Sequence, residues 1–283
     1  MLSIILLLLL VFFLVDPLEA WNSRPFPFPQ PEWQKVALQR RSFLSSATAM
    51  LTSAVLPVDS VVASDSDNQN LIDVYFGCGC FWHVQHEFVE AERKILGRND
   101  EQLTSRAAYA GGRLGMKDSK VCYHNVAQIS DYGSLGHAEV VSVKIPKENF
   151  SDFAVEYCKL FRNGMRPDQW GDRGLEYRNL VGFMGGAGSD LVMQLIEASK
   201  ATGDQLDFAV GRGGDATAKG GADSDIPRLV WIMDSDVYPA FVAENYHQFH
   251  DGFMFGEDYS NAYNSLAQMF AKLGEDFGKC PRV

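Results

Sequence analysis

Hydrophobic and polar positions fall into two regimes along the chain, with the boundary near residue 64. Beyond it, apolar positions either alternate or recur at helical spacing, so strands and helices follow one another. Leu71–Phe76 reads as a buried strand, and residues 82–96 read as a helix with Val84, Phe88, Ala91 and Ile95 on its inner face and a stop at Gly97. Ser105–Ala110 predicts a second strand running into Gly111 and Gly112, whereas residues 113–136 lack a period and predict a loop. His137–Ile145 alternates like a half-buried strand closed by Pro146. Phe150, Phe153, Ala154, Tyr157, Leu160 and Phe161 mark an amphipathic helix, with Ser151 as N-cap and Asn163-Gly164 as its stop. Tyr177–Met184 predicts a strand, Leu191–Ser199 a helix capped by Ser189, Arg228–Met233 a strand, and residues 260–273 a last helix before the tail Gly274–Val283. Gly203 to Asp225, rich in Gly and Asp with one apolar island at Leu206–Val210, predicts an exposed excursion. Alternating strands and helices without a fixed-period repeat give an α/β or α+β class around one mixed sheet.

Before residue 64 the pattern is different. Residues 4–15 are an Ile/Leu/Val/Phe run too short for an ordinary membrane span, followed by Asp16-Pro17 and the small-residue exit Leu18-Glu19-Ala20. Residues 1–20 therefore read as a signal peptide. Residues 21–39 are proline-rich without a period and predict an extended linker. Arg40-Arg41-Ser-Phe-Leu, with the apolar and small-residue stretch up to Val61-Val62-Ala63, looks like a twin-arginine translocation signal; the alternative is an amphipathic helix docked on the domain. Trp21, directly after the expected cleavage point, resembles the plastid-entry signal of algae whose plastids have extra membranes. Together these segments predict residues 21–63 as transit and second targeting signal, a catalytic domain over 64–283, and delivery to a plastid, ending in the thylakoid lumen. The alternative destination is secretion.

Charge narrows the partners. The formal net charge is −11, and the four Lys/Arg and four Asp/Glu of residues 1–63 cancel, so all of it belongs to the domain. An acidic domain without a basic cluster repels nucleic acid and anionic membrane surfaces, leaving peptides and proteins as expected partners. The mature form is expected to be monomeric and not membrane-spanning.

Candidate chemistry concentrates at Asp73-Val-Tyr-Phe-Gly-Cys-Gly-Cys-Phe-Trp82, where a strand stops at two glycines, presents two thiols and turns into a helix. Cys80 falls at the helix start, where amide N–H groups and the helix dipole favour a thiolate. Phe81 and Trp82 would line an apolar pocket beside it. Cys78 reads equally as a buried cysteine. Such a thiolate can attack a carbonyl, peroxide, disulfide or sulfoxide, and the residues alone leave these open.

Gly79-Cys80-Phe81-Trp82 resembles the GCFW signature of the peptide methionine sulfoxide reductase A family. Tyr109-Ala-Gly-Gly112 is similar to its GYTGG, Gly136-His-Ala-Glu139 to its GHAE, Gly171-Asp-Arg-Gly-Leu-Glu-Tyr-Arg178 to its NDxGxQYR, and Ala243-Glu-Asn-Tyr-His-Gln248 to its AExxHQ, in family order. The resemblance implies a βαββαβ ferredoxin-like core and thiol-dependent reduction of methionine S-sulfoxide, free or in proteins. It implies Cys80 as nucleophile, Glu139 as acid, Tyr109 and Tyr177 as hydroxyl donors, and Asp172 as the residue orienting the water and tyrosine network. Phe81 and Trp82 then hold the substrate methyl group. No cofactor is implied beyond an external dithiol such as thioredoxin. The sulfenic acid left on Cys80 needs a second thiol, and the resemblance points to Cys280 in the Gly-flanked tail, with Cys78 as the alternative; this tail has one cysteine where many members have two. Cys122 is a further candidate and Cys158 reads as core. His83 stands where the family usually has Gly, and either modulates Cys80 or covers the pocket.

Two other readings remain in the sequence. Cys78, Cys80, Cys122 and His124 can be drawn as zinc ligands, but the spacing is poor and ligation would consume the thiolate, so no metal is expected. A non-catalytic methionine-binding module in the same compartment would keep the pocket, but it would usually lose one of Cys80, Glu139, Tyr109 and Tyr177, and all four are present.

Overall fold

The computed structural model describes residues 70–112, 120–167, 171–203, 206–214, 223–251, 259–277 and 280. The expected signal peptide, linker and twin-arginine segment, residues 1–63, lie outside them. Seven strands, β1 (Leu71–Gly77), β2 (Arg106–Ala110), β3 (Ala138–Pro146), β4 (Leu180–Phe183), β5 (Asp207–Val210), β6 (Leu229–Asp234) and β7 (Phe241–Val242), alternate with four helices, α1 (Phe81–Leu96), α2 (Phe150–Lys159), α3 (Leu191–Ala201) and α4 (Asn261–Lys272). The strands form one mixed sheet in the order β5-β6-β4-β1-β3-β2-β7. Its central part, β4-β1-β3-β2, is antiparallel throughout. With α1 after β1 and α2 after β3 it makes the βαββαβ ferredoxin-like unit. β6 extends the sheet parallel to β4, and β5 lies parallel to β6. No helix among the described residues is long and apolar enough to cross a membrane.

The sequence pattern explains most of this. Val84, Phe88, Val89 and Ala91 of α1 are buried against the sheet, and Phe76 of β1 stacks on Phe88 at 4.5 Å. Gly97 ends the helix in the left-handed region at φ 65°, as its glycine allows. Ser260 caps α4 by accepting the N–H of Tyr263. Gln248 occupies the edge of β2: its Oε1 accepts from Ala107 N and Gln85 Nε2, while its own Nε2 donates to Ala107 O and Ala243 O.

Several expectations are corrected. Ser151 does not cap α2; a 3-10 turn over Lys147–Asn149 follows Pro146 and starts the helix earlier, putting Ser151 inside it. Asp190 is the cap position of α3, although Ser189 Oγ still accepts the Leu191 N–H at 3.3 Å. The first four residues of β3 are all buried, and the expected alternation appears only from Ser142 onward. Tyr177 lies in a 3-10 turn, Leu175–Tyr177, and the strand begins only at Leu180. The island at Leu206–Val210 is not an excursion but carries the sheet-edge strand β5. The two-residue β7, paired with β2, is too short to show a period.

Candidate active site

Gly79, at φ 77°, turns the chain from β1 into α1, and its N–H donates to Tyr177 O at 3.2 Å. Cys80 takes the N-cap position of α1 with extended backbone, φ −65° and ψ 126°. The backbone N–H groups of Trp82 and His83 favour its thiolate, as expected at a helix start. Burial outweighs them. Cys80 is only 9% exposed, and burial together with the neighbouring Glu139 charge holds its thiol well above the ordinary cysteine range. Cys80 is therefore held as a thiol, in contrast to the thiolate expected from the helix start alone.

Glu139 sits at the other side of this helix start. Register pairs it directly with Tyr109 across β2 and β3, so both side chains leave the same face of the sheet. Its Oε2 accepts the N–H of Phe81 at 3.0 Å, and Tyr132 Oη lies 3.3 Å from its Oε1. With 2% exposure, burial pushes its carboxyl up to about 8, against the pull of the Phe81 and Tyr132 hydrogen bonds. At neutral pH it is a proton donor.

The tyrosines divide their roles. Tyr109 is fully buried, and its hydroxyl donates to Glu244 Oε2 at 2.8 Å; Glu244 Oε1 in turn accepts the N–H of Tyr123 at 2.8 Å. Burial holds the Tyr177 hydroxyl above its ordinary range, with the charge of Glu139 adding to it. Tyr123, half-buried and pushed up to about 12 by burial, also feels Glu139 and Cys80. Tyr132 stacks on Tyr109 at 4.7 Å. Asp172 is half-buried, with its carboxyl raised by burial, and its charge bears on Cys80, Glu139 and Tyr177. Its segment is stitched down by buried Arg166, which donates to the carbonyls of Asp172 and Tyr177 and to Asp225.

An aromatic wall stands next to the thiol. Phe81 is buried, and Trp82 packs on His250 at 4.0 Å and edge-on to Tyr246 at 6.2 Å. His247 lies 5.2 Å from Phe81 and 5.9 Å from Trp82, and burial lowers its pKa to about 4, so the ring is neutral. His83 is buried at 7% exposure and contributes its backbone N–H to Cys80.

Cys280 is disulfide-bonded to Cys122, 158 residues away in sequence, while Cys78, Cys80 and Cys158 are buried thiols. Cys78 is fully buried, and burial raises its thiol to about 12. The tail does return to the domain, but to the loop carrying Tyr123 rather than to Cys80. Among the described residues, one trio of metal-type donors lies close together: Cys122, Glu244 and Cys280. Two of its three ligand atoms are already bonded to each other, and the drawn set of Cys78, Cys80, Cys122 and His124 is not assembled.

No known family model matches the chain. Over 96 residues the chain is 35% identical to the peptide methionine sulfoxide reductase MsrA of Geobacter sulfurreducens; the match covers 34% of this chain and 46% of that protein. The chain thus spans less than half the length of the relative it matches. Among solved structures, methionine sulfoxide reductase A of Corynebacterium diphtheriae is 18% identical, with 64% of this chain and 74% of that one covered at a TM-score of 0.38. Mxr1 from Saccharomyces cerevisiae in reduced form is 21% identical, with 68% and 93% covered at a TM-score of 0.42. At these values the structural likenesses carry no argument of their own.

The motifs that resemble methionine sulfoxide reductase A converge on one place. Cys80, Phe81, Trp82, Tyr109, Glu139, Tyr177 and Asp172 surround the start of α1, and Glu244 and His247 join them. Tyr123, Tyr132, Tyr246 and His250 were not found by sequence reasoning. Tyr246, within Ala243–Gln248, and His250 just after it had a signal in that motif; Tyr123 and Tyr132 had none, lying in a loop without periodicity.

Proposed function

We propose that the protein reduces methionine S-sulfoxide, free or in proteins, to methionine. The observation that carries this reading is the buried Glu139 carboxyl, hydrogen-bonded to the amide that follows Cys80 and raised by burial to about 8. A sulfoxide bound with its methyl group on Phe81 and Trp82 turns its oxygen toward that carboxyl. As the Cys80 sulfur bonds to the substrate sulfur, the oxygen takes the proton of Glu139, and the thiol proton returns to the carboxylate. The oxygen passes to Cys80, leaving a sulfenic acid and methionine: substrate sulfur gains two electrons and Cys80 loses them. Tyr177 and Asp172 steady the polar side of this site.

Recycling runs through two cysteines. Cys122 condenses with the sulfenic acid, giving a Cys80–Cys122 disulfide and water; Cys280 then attacks Cys122, freeing Cys80 and leaving the Cys122–Cys280 disulfide. A thioredoxin-like dithiol reduces that bond at the partly exposed tail. This replaces a direct Cys80–Cys280 bond, and it is supported by the Cys122–Cys280 pair standing next to Tyr123, whose amide shares Glu244 with Tyr109. The leader, on sequence grounds, directs the activity to a plastid and its thylakoid lumen.

The test is reduction of a methionine sulfoxide peptide by the chain from Ser64 onward with dithiothreitol, resolving the two sulfur epimers. Consumption of the S epimer, abolished by Cys80→Ser in a folded protein, is expected. Equal consumption of both epimers, or activity in Cys80→Ser, overturns the reading.

A further inference from the structure

The condensation step raises a proton requirement that Glu139 alone cannot meet. When Cys122 attacks, the sulfenic hydroxyl leaves as water and takes the Glu139 proton, whereas the proton of the Cys122 thiol is released at its own loop. Glu139, 2% exposed, must then regain a proton from solvent before the next substrate arrives.

Three side chains link it to the surface. Tyr132 Oη lies 3.3 Å from Glu139 Oε1 and 3.3 Å from Glu176 Oε2. Glu176 Oε2 lies 3.3 Å from His124 Nε2, and His124 Nδ1 lies 2.9 Å from Asp131 Oδ2. The side chain of His124 is 48% exposed and that of Glu176 31%, while Tyr132 is fully buried. The loop is built to hold them: Asn125 Oδ1 accepts Ile129 N, its Nδ2 donates to the carbonyls of Tyr123 and Ile129, and Tyr132 N donates to Cys122 O.

We propose that His124, Glu176 and Tyr132 form a proton path that restores Glu139 from solvent; this rests on the reductase reading above. Burial pulls the His124 pKa down, but Asp131 and Glu176 outweigh it and raise the value, favouring an imidazolium at the outer end. A proton enters at His124 and moves to Glu176; Tyr132 gives its hydroxyl proton to Glu139 and takes the one from Glu176. Each solvent proton taken up matches the one Cys122 released, so the cycle balances. Contacts of 3.3 Å are long for such transfers and must close by roughly 0.5 Å, within ordinary side-chain motion. The other titratable groups facing Glu139 are Cys80 at the helix start, Asp172 and Tyr177 from the 171–178 segment, and Tyr109 and Tyr123. The hydrogen-bonded contacts that run from Glu139 through Tyr132 and Glu176 to the exposed His124 supply the link to solvent.

The experiment compares the full chain with His124→Phe and Glu176→Ala; neither side chain is hydrogen-bonded to Glu139, and the Glu176 charge only adds to the burial that raises its carboxyl. Methionine formed in the first turnover, measured by rapid quench at pH about 6.5 with Glu139 already protonated, is expected to be unchanged. Disulfide formation is expected to slow by at least about tenfold and to recover with added imidazole, which carries protons in place of the path. Wild type is expected to be insensitive to imidazole. Infrared detection of the protonated Glu139 carboxyl after a downward pH jump reads the same path without any substrate, and the band is expected to appear more slowly in both variants. Unchanged band kinetics in both variants overturn the proton path whether or not the protein is a reductase. Absence of first-turnover methionine in wild type overturns the reductase reading instead.

Discussion

Glu139 Oε2 accepts the backbone N–H of Phe81 at 3.0 Å, so the proposed acid and the proposed nucleophile are fastened to one helix start. The dipole of α1 can favour one negative charge there, but a thiolate on Cys80 beside an ionised Glu139 would place two charges in a site closed to water. On the proposed mechanism Glu139 therefore keeps its proton until the departing oxygen takes it.

This relationship sets the pH dependence. Glu139, its carboxyl raised to about 8, is protonated below that value and loses the proton as pH rises through it. The single-turnover rate is expected to hold from about pH 6 and fall above about pH 8. Glu139→Gln should be slower by about 10²-fold or more and lose that fall. A wild-type rate that rises monotonically to about pH 9.5 would show that thiol ionisation, not the acid, is limiting.

Trp82 offers a half-buried face next to the sulfur, framed by Tyr246 and His250. Removing it in Trp82→Ala costs about 1.5–3 kcal/mol of apolar contact, or roughly 10- to 100-fold in kcat/KM, mainly through KM. Steady-state kinetics on a sulfoxide peptide checks this. An unchanged KM would place the methyl group elsewhere.

For the thiol relay, Cys280→Ser should trap a Cys80–Cys122 bond after one turnover, and Cys122→Ser should leave sulfenic acid on Cys80. Both should lose thioredoxin-supported cycling and keep dithiothreitol-supported cycling. Mass spectrometry of the non-reduced proteins decides it: a Cys80–Cys280 bond with full thioredoxin-supported activity in Cys122→Ser removes Cys122 from the path.

Gln248, in the motif Ala243–Gln248, acts structurally. Its amide satisfies both backbone groups of Ala107 and holds Gln85. Gln248→Ala leaves buried polar groups without partners and should destabilise the fold by about 3 kcal/mol. Denaturant titration should show a lower midpoint with an unchanged slope, and no shift would mean that water replaces the amide.

How much of this was legible follows from where each signal lives. The start of α1 was readable because two glycines, a thiol and an apolar face are adjacent in sequence. The state of Cys80 was not, because sequence gives the helix dipole but not the depth of burial that overrides it. Glu139 and Tyr109 came from motif resemblance, whereas their pairing across β2 and β3 is a matter of register. Tyr132 and His124 sit in a loop ordered by Asn125 rather than by periodicity. The edge strand β5 was hidden because four residues show no period and two of them, Asp207 and Val210, face solvent.

The Cys122–Cys280 bond joins residues 158 apart, and that span makes it more than a carrier of oxidising equivalents. Closing so long a loop limits the unfolded chain and is worth about 5 kcal/mol on the chain-entropy account. Under the proposed relay the oxidised resting form is then the heat-resistant form, and reduction by a dithiol softens the protein at the moment it readies it for work. A melting curve would therefore register how much of a protein pool is waiting for reductant.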